Sequence, residues 1–480
     1  MKYFVTIIFI SLLIFGCSRG TFPERVDFGS VVVTESDGPV FIISGYGTLQ
    51  DDENPVIKAG LQLFRTNLVF RTDQEDEYSA NVNIRYEIFR LESNEVSERI
   101  KSVSERKRIS GQPDDVLINH TSEKWSRIFE VQPGLYRLVI SVTDQASNKT
   151  IARNKTVFVP GGAPAFNGIS DISLFGISNS TTDKTHLSTY DVPESYDYLR
   201  FSFHTNFELD SGEYAVHMRI VEFEADNEPA RRLTDPNLPS SSLKNRGIHY
   251  GISTVVKGSE YSDTVQNGLN HHEYIFEITK RSNYRFEVFI TDKGRPSHKN
   301  AHNFSARDFA VRSENFPLIG TPFEMAEPLA YIMTNRQYRE LMSIQNPDSL
   351  LTAVETFWVT NIGSKEKARE VMAMYYNKVV SANLQFSNFK EGWKTDMGMV
   401  FILFGQPWNI DYSTQNIRWT YGYDRRDSDF NFIFVRTRKG DPRFPFDNWV
   451  VRRSTNFHTV TYRRVQDWLS GYVLGRRHPY

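Results

Sequence analysis

The feature that most constrains the fold is an internal echo. Pro133–Asp144 reads PGLYRLVISVTD and Ser282–Asp292 reads SNYRFEVFITD. With Tyr136 laid on Tyr284, Asp144 falls on Asp292, and the residues between alternate with a period of two. Tyr136, Leu138, Ile140 and Val142 share one face of the first copy; Tyr284, Phe286, Val288 and Ile290 share the matching face of the second. Each run is followed by a polar turn, QASNK or KGRPSHK, and by a further short strand, Asn154–Pro160 or Ala306–Arg312.

This pattern resembles the last hairpin of an immunoglobulin-like sandwich, where a Tyr opens the penultimate strand. Strand-like runs precede each copy. They include Pro39–Ser44, Gly60–Phe70 and Asn81–Leu91 in the first, and Asp171–Phe175, Tyr198–His204, Glu213–Phe223 and Tyr274–Thr279 in the second. Two β-sandwiches are therefore expected, at 24–160 and 165–316. The VPGGAP segment at Val159–Pro164 forms the joint, because Pro and Gly clusters stop strands and helices alike. The polar stretch Arg231–Asn245 reads as a long mobile loop. With one cysteine, no Cys–Trp–Cys framework and no internal disulfide can form. Hydrophobic cores must hold the domains, and a 14% aromatic content is ample for several.

From about Pro317 the pattern turns helical. Tyr338–Met342 and Leu350–Val359 have helical spacing, and Lys365–Phe386 has it most clearly, with Ala368, Val371, Met372, Tyr375, Val379 and Ala382 on one stripe. Asp348 and Ser364 are the candidate N-caps. Beyond Phe389, strands are expected at Val400–Phe404, Ile417–Tyr423, Asn431–Val435 and Trp449–Arg452. The fold class is thus mostly β: two immunoglobulin-like sandwiches followed by an α+β C-terminal domain at 321–480, helices first and a small antiparallel sheet after.

The N-terminus bears on compartment. Residues 1–16, MKYFVTIIFISLLIFG, have one Lys, an apolar run and a closing small residue, the shape of a secretory signal. Cys17 follows at once and is the only cysteine, so the junction resembles a bacterial lipobox in which that Cys is acylated. Residues 17–23 would then be an anchor linker. No Asp follows Cys17, which fits an outer-membrane lipoprotein, and no acidic cluster follows either, which favours a periplasm-facing position over the cell surface.

The segment Gly392-Trp393-Lys394-Thr395-Asp396, with Gly398, Val400-Phe401-Ile402, Phe404-Gly405 and Pro407 behind it, resembles the signature of the GWxTD-domain proteins. The resemblance extends to Phe357-Trp358, Tyr375, Tyr376, Ala382-Asn383, Trp419 and Tyr421, and covers about the last 160 residues. It implies a bacterial exported protein, often a lipoprotein with β-sandwich regions ahead of the domain; it does not imply a reaction. One position departs from the family pattern: Asn361-Ile362-Gly363 stands where relatives carry Asp-Pro.

Two readings of the segment compete. In the first it is a folding turn: Gly392 supplies a positive φ, Trp393 buries area, Thr395 and Asp396 bond the backbone, Gly398 admits the chain to a strand, and Gly405 and Pro407 make the exit. In the second it is a ligand platform centred on Asp396, with Glu391, Asp411 or Asp424 as a second ionisable group. No catalytic constellation appears: there is neither a GxSxG elbow nor an HExxH. His271-His272-Glu273 is no metal site, since adjacent strand residues face opposite ways. No cofactor is implied.

Net charge is −2, which argues against nucleic acid. From Ile417 onward, though, thirteen Arg and Lys stand against six Asp. Arg425, Arg426, Arg452, Arg453, Arg463 and Arg464 lie among Trp, Tyr and Phe, a candidate basic surface for an envelope protein. The function expected is a non-enzymatic, membrane-anchored interaction role. The alternative is a small-ligand binder, or a hydrolase of envelope glycan or peptide, with its site at the GWKTD turn.

Overall fold

The computed structural model describes residues 25–27, 38–50, 54–65, 68–72, 78–92, 95–110, 122–160, 168–179, 184–207, 214–239, 241–294, 299, 301–413, 415–422, 430–437 and 448–475. Cys17, Arg425, Arg426 and Asp424 lie outside them.

The echoed segments are both central strands. In the first sandwich Gly134–Asp144 pairs with Tyr78–Glu92 on one side and Lys149–Val159 on the other. The facing sheet is Val40–Gln50, Asn54–Phe64 and Ser122–Glu130. In the second, Asn283–Asp292 pairs with Tyr214–Ala225 and Asn303–Arg312. Its facing sheet is built on Ser173–Ile177, Tyr198–Phe207 and Gly268–Glu277. Tyr136 donates its hydroxyl proton to the Gln132 carbonyl at 2.6 Å, and Tyr284 to the Lys280 carbonyl at 3.0 Å. Each bond reaches four residues back, as the tyrosine corner of an immunoglobulin-like sandwich does.

The two copies differ in their second face. Gly134–Asp144 alternates buried and half-buried, whereas Asn283–Thr291 is buried on both faces. The additional buried layer of the second sandwich holds the bidentate pair Arg285–Asp308, at 2.6 and 3.0 Å, and Arg219–Glu287 at 2.7 Å. Paired charges are what burial of such a layer requires.

Several local readings change. Arg25–Asp27, assigned on sequence to the first sandwich, pairs instead in parallel with Ser305–Arg307 of the second. Glu95–Ser110, not anticipated as a strand, forms a long hairpin with Tyr78–Glu92; it lies at the sheet edge and carries many charges, among them the run Glu105–Arg108, which discourages pairing with another chain. The 231–245 loop is docked, not mobile: Leu233 is buried in the C-terminal core, and its carbonyl accepts from Ser454 N at 3.1 Å.

The C-terminal domain is α+β as expected. The helices Asn335–Met342, Pro347–Ile362 and Lys365–Phe386 come first, and a four-stranded antiparallel sheet in sequence order runs from Asn409 to Val451. A helix not foreseen, Phe457–Leu469, closes it. Ser364 caps its helix through Lys367 N, but the cap of the preceding helix is Asn346, with Pro347 at the first helical position; Asp348 sits in the first turn. Among the described residues no helix is long and apolar enough to cross a membrane.

The largest correction concerns the GWKTD segment and the apolar run behind it. Val400–Phe404 is no strand: Asp396–Phe404 is a helix, capped by Thr395, whose hydroxyl accepts from Gly398 N at 3.0 Å. Its apolar run is continuous because the helix is buried almost all round.

Candidate functional site

The glycines of the motif serve close approach. Gly392 has no positive φ, contrary to the sequence expectation. A Cβ there would overlap the Ala382 carbonyl of the Lys365–Phe386 helix, and a Cβ on Gly398 would overlap the Gly392 carbonyl. Gly405 does take φ 83°, at the end of the short helix. Pro407 follows, half-buried, at the turn into the sheet.

Trp393 is buried against this framework and tied at three points. Its N–H donates to Asn383 Oδ1 at 3.1 Å, its indole N–H to Glu391 Oε2 at 2.9 Å, and its carbonyl accepts from Tyr331 Oη at 2.6 Å. Thr395 Oγ1 also donates to the Gly392 carbonyl at 2.7 Å, closing the turn on itself. Glu391 pairs with Lys394 at 2.9 Å. Burial alone would raise the Glu391 carboxyl, but Lys394, Arg312 and the Trp393 indole hold it below its ordinary value.

Asp396 meets an arginine. Arg453 forks onto it, with one guanidinium nitrogen 2.8 Å from Oδ2 and the other 2.7 Å from Oδ1. Val451 N donates to Oδ2 at 2.9 Å. The side chains are 10% and 5% exposed. Asp396 also occupies the first turn of its helix, where the helix dipole favours a carboxylate. Arg453 spends its remaining donors on the docked loop: Nε on the Arg232 carbonyl at 3.2 Å and Nη2 on the Arg231 carbonyl at 3.1 Å. Asn237 of that loop exchanges bonds with the Arg453 backbone.

Two further contacts, missed on sequence, tie the approach to the motif onto the second sandwich. Lys390 Nζ lies 2.8 Å from Asp226 Oδ2 and 3.0 Å from the Glu228 carbonyl. Burial pulls the Lys390 ammonium below its usual value in spite of Asp226. Arg312 donates to the Asn388 and Phe389 carbonyls at 2.6 and 3.1 Å and pairs with Asp191 at 2.6 Å. Lys390, just before the motif, is the signal that could have been noticed; its partner lies too far away in sequence to suggest itself.

Neither described candidate partner of Asp396 forms a dyad with it, and Asp424 lies outside the described residues. Glu391 is committed to Trp393 and Lys394, and Asp411 accepts from Asn409 Nδ2 at 2.9 Å. A cavity of about 60 Å³ lies beside Asp396, Arg453, Asp226 and Lys390. It has room for about two waters and is well short of the roughly 300 Å³ at which small-molecule pockets begin.

The basic surface is divided. Arg453 is internal, as described. Arg464 is also turned inward, donating to the Leu403 and Phe404 carbonyls at 2.7 and 3.2 Å, where it caps the C-terminus of the motif helix. Arg452 and Arg463 are exposed. His271 and His272 face opposite ways, bonding Ser202 Oγ and Thr205 Oγ1, and among the described residues no group of three His, Cys, Asp or Glu is placed to hold a metal.

The pattern that defines the GWxTD domain matches residues 297–470. The chain carries a GWxTD domain. That match begins ahead of the expected boundary at 321 and takes in the last strand of the second sandwich, the strand whose Arg312 holds the approach to the motif. Comparison with curated protein sequences gives no match. Among solved structures, Escherichia coli alpha-2-macroglobulin activated by porcine elastase is 7% identical with a TM-score of 0.17, over 72% of this chain and 35% of that one. The chain thus spans about a third of that structure, and a likeness of this size carries no argument about the GWxTD domain.

Proposed function

We propose that this protein is a lipoprotein of the bacterial outer membrane, anchored through Cys17 and facing the periplasm, with a non-enzymatic structural and protein-interaction role. The GWxTD segment is its internal clamp, and the GWxTD domain is its docking module for another envelope protein. The observation that carries this reading is the commitment of Asp396: both carboxylate oxygens are taken by Arg453 and Val451, and the cavity beside them among the described residues is about 60 Å³. A general acid or base needs reach to a substrate proton, and this carboxylate faces its own chain. The surface left for a partner includes Arg452, Arg463 and Tyr462, the last 61% exposed.

The test is purification of the lipidated protein from its native membrane in mild detergent, with mass spectrometry of what accompanies it. A stoichiometric envelope protein, lost in an Arg452→Glu/Arg463→Glu variant that melts normally, is the expected result. Recovery of the protein alone at low and high salt would overturn the docking role.

A further inference from the structure

The Arg25–Asp27 strand bears on how the body stands over the bilayer. It runs parallel to Asn303–Arg312, with Arg25 beside Ser305 and Asp27 beside Arg307. The incoming chain therefore reaches the second sandwich at the end where that strand begins. The same end holds Asp292 paired with Tyr214, Gly168 against the Asn303 side chain, and Phe207 paired with Gly268. The opposite end, where the strand finishes at Arg312, is the one bonded to the GWxTD domain through Asn388, Phe389 and Lys390. A strand of ten residues separates the two ends, about 33 Å at the usual rise. Cys17 precedes Arg25 by eight residues, a stretch that can reach at most about 29 Å.

We infer that the bilayer faces the Asp292–Asn303 end of the second sandwich and that the GWxTD domain is carried on the far side, one strand length farther out. This rests on the Cys17 anchor proposed above. Parallel pairing decides the direction: an antiparallel Arg25–Asp27 strand would deliver the tether to the GWxTD end. Lys293 and Lys299 are exposed at the bilayer-facing end, where anionic headgroups attract cations, and the carboxylate of neighbouring Asp292 is engaged by His302 at 2.7 Å. The GWxTD domain is accordingly presented to a partner that approaches from the aqueous side.

Acylation of Cys17 leaves an introduced cysteine as the sole free thiol. The full lipidated chain, labelled with a donor dye at Lys293→Cys or at Arg452→Cys, is bound to phosphatidylethanolamine/phosphatidylglycerol vesicles carrying an acceptor-labelled lipid. Vesicle flotation and energy transfer are scored separately. The orientation predicts severalfold more transfer from position 293 than from 452. It also predicts that a Gly/Ser insertion after Arg19, long enough to let the body tumble, erases the difference. Equal or reversed transfer from protein that floats would overturn the orientation while leaving the anchor intact. Protein that fails to float would overturn the anchor, and the orientation with it.

Discussion

The second sandwich and the first meet the rest of the molecule in different ways. The second is joined to the GWxTD domain by buried charged groups: Asp226–Lys390, Arg312 on the Asn388 and Phe389 carbonyls, and Arg453, held by Asp396 inside the domain, on the Arg231 and Arg232 carbonyls. The first is joined through rings and aliphatics. Tyr46 packs on Phe175 and His186, Phe158 on His204, and Val40 and Phe64 on Val380 and Leu384. A cavity of about 270 Å³ remains where the three units converge, lined by Phe64, His186, Asp191, Phe316 and Asn383 among others. Buried ion pairs fix one geometry and are costly to break singly, whereas apolar faces tolerate repacking. The GWxTD signature thus acts on the fixed junction indirectly: Asp396 holds Arg453, and Arg453 with neighbouring Lys390 bonds the second sandwich, while Lys394 and Thr395 bond within the domain.

Removing one partner of the clamp should have the largest effect. Asp396→Ala leaves Arg453 buried without its carboxylate and should cost about 3–5 kcal/mol in a denaturant titration. An equal loss is not expected from Tyr46→Ala at the other junction, where exposure of a ring contact is the main change.

Acid should act in the reverse order. Burial, with His271 and His272 nearby, pushes the His204 imidazole down from 6.5 to about 4. A base depressed in the folded state favours the neutral form. The stability it contributes is complete above pH 6.5 and is lost as pH falls toward 4, by about 3 kcal/mol at most. Glu391 is held below its ordinary 4.5, so its contribution is present above that pH and lost only as pH falls further. Between pH 6.5 and 4.5 the first junction should weaken while the clamp holds, as hydrogen exchange at each interface would reveal. His204→Gln should flatten the response.

Smaller effects follow at the echoed tyrosines. Tyr136→Phe and Tyr284→Phe each remove one corner hydrogen bond, and each should lower stability by about 1 kcal/mol, without affecting the clamp. Smallest of all, Arg452→Glu and Arg463→Glu should change the melt by less than about 0.5 kcal/mol, as exposed substitutions do.

Much of this architecture was legible in the chain. The alternation around Tyr136 and Tyr284 marks two sandwiches: the first strand is half-buried on its second face, and on the second strand the alternate Arg285 and Glu287 are polar because they are ion-paired in a buried layer. The stripe from Ala368 to Ala382 marks the long helix by its helical spacing. The apolar run from Met399 to Phe404 misled because a helix buried all round has no polar face to reveal its period. Thr395 as N-cap and Gly405 as terminator were the local signals that would have corrected it. The clamp was less accessible. Asp396 and Arg453 are distant in sequence, and adjacent arginines point apart, so Arg452 faces water while Arg453 is internal. Nor does a polar loop announce that Leu233 anchors it in another domain's core.

The most direct test is a double-mutant cycle on Asp396→Asn and Arg453→Met, read by denaturant unfolding of the full chain. The account predicts that each single variant is destabilised and that the pair is strongly non-additive, with a coupling toward the upper end of the roughly 0.5–3 kcal/mol seen for contacting residues. Additive losses, or an Asp396→Asn variant as stable as the parent, would contradict the clamp and return Asp396 to the candidates for ligand binding.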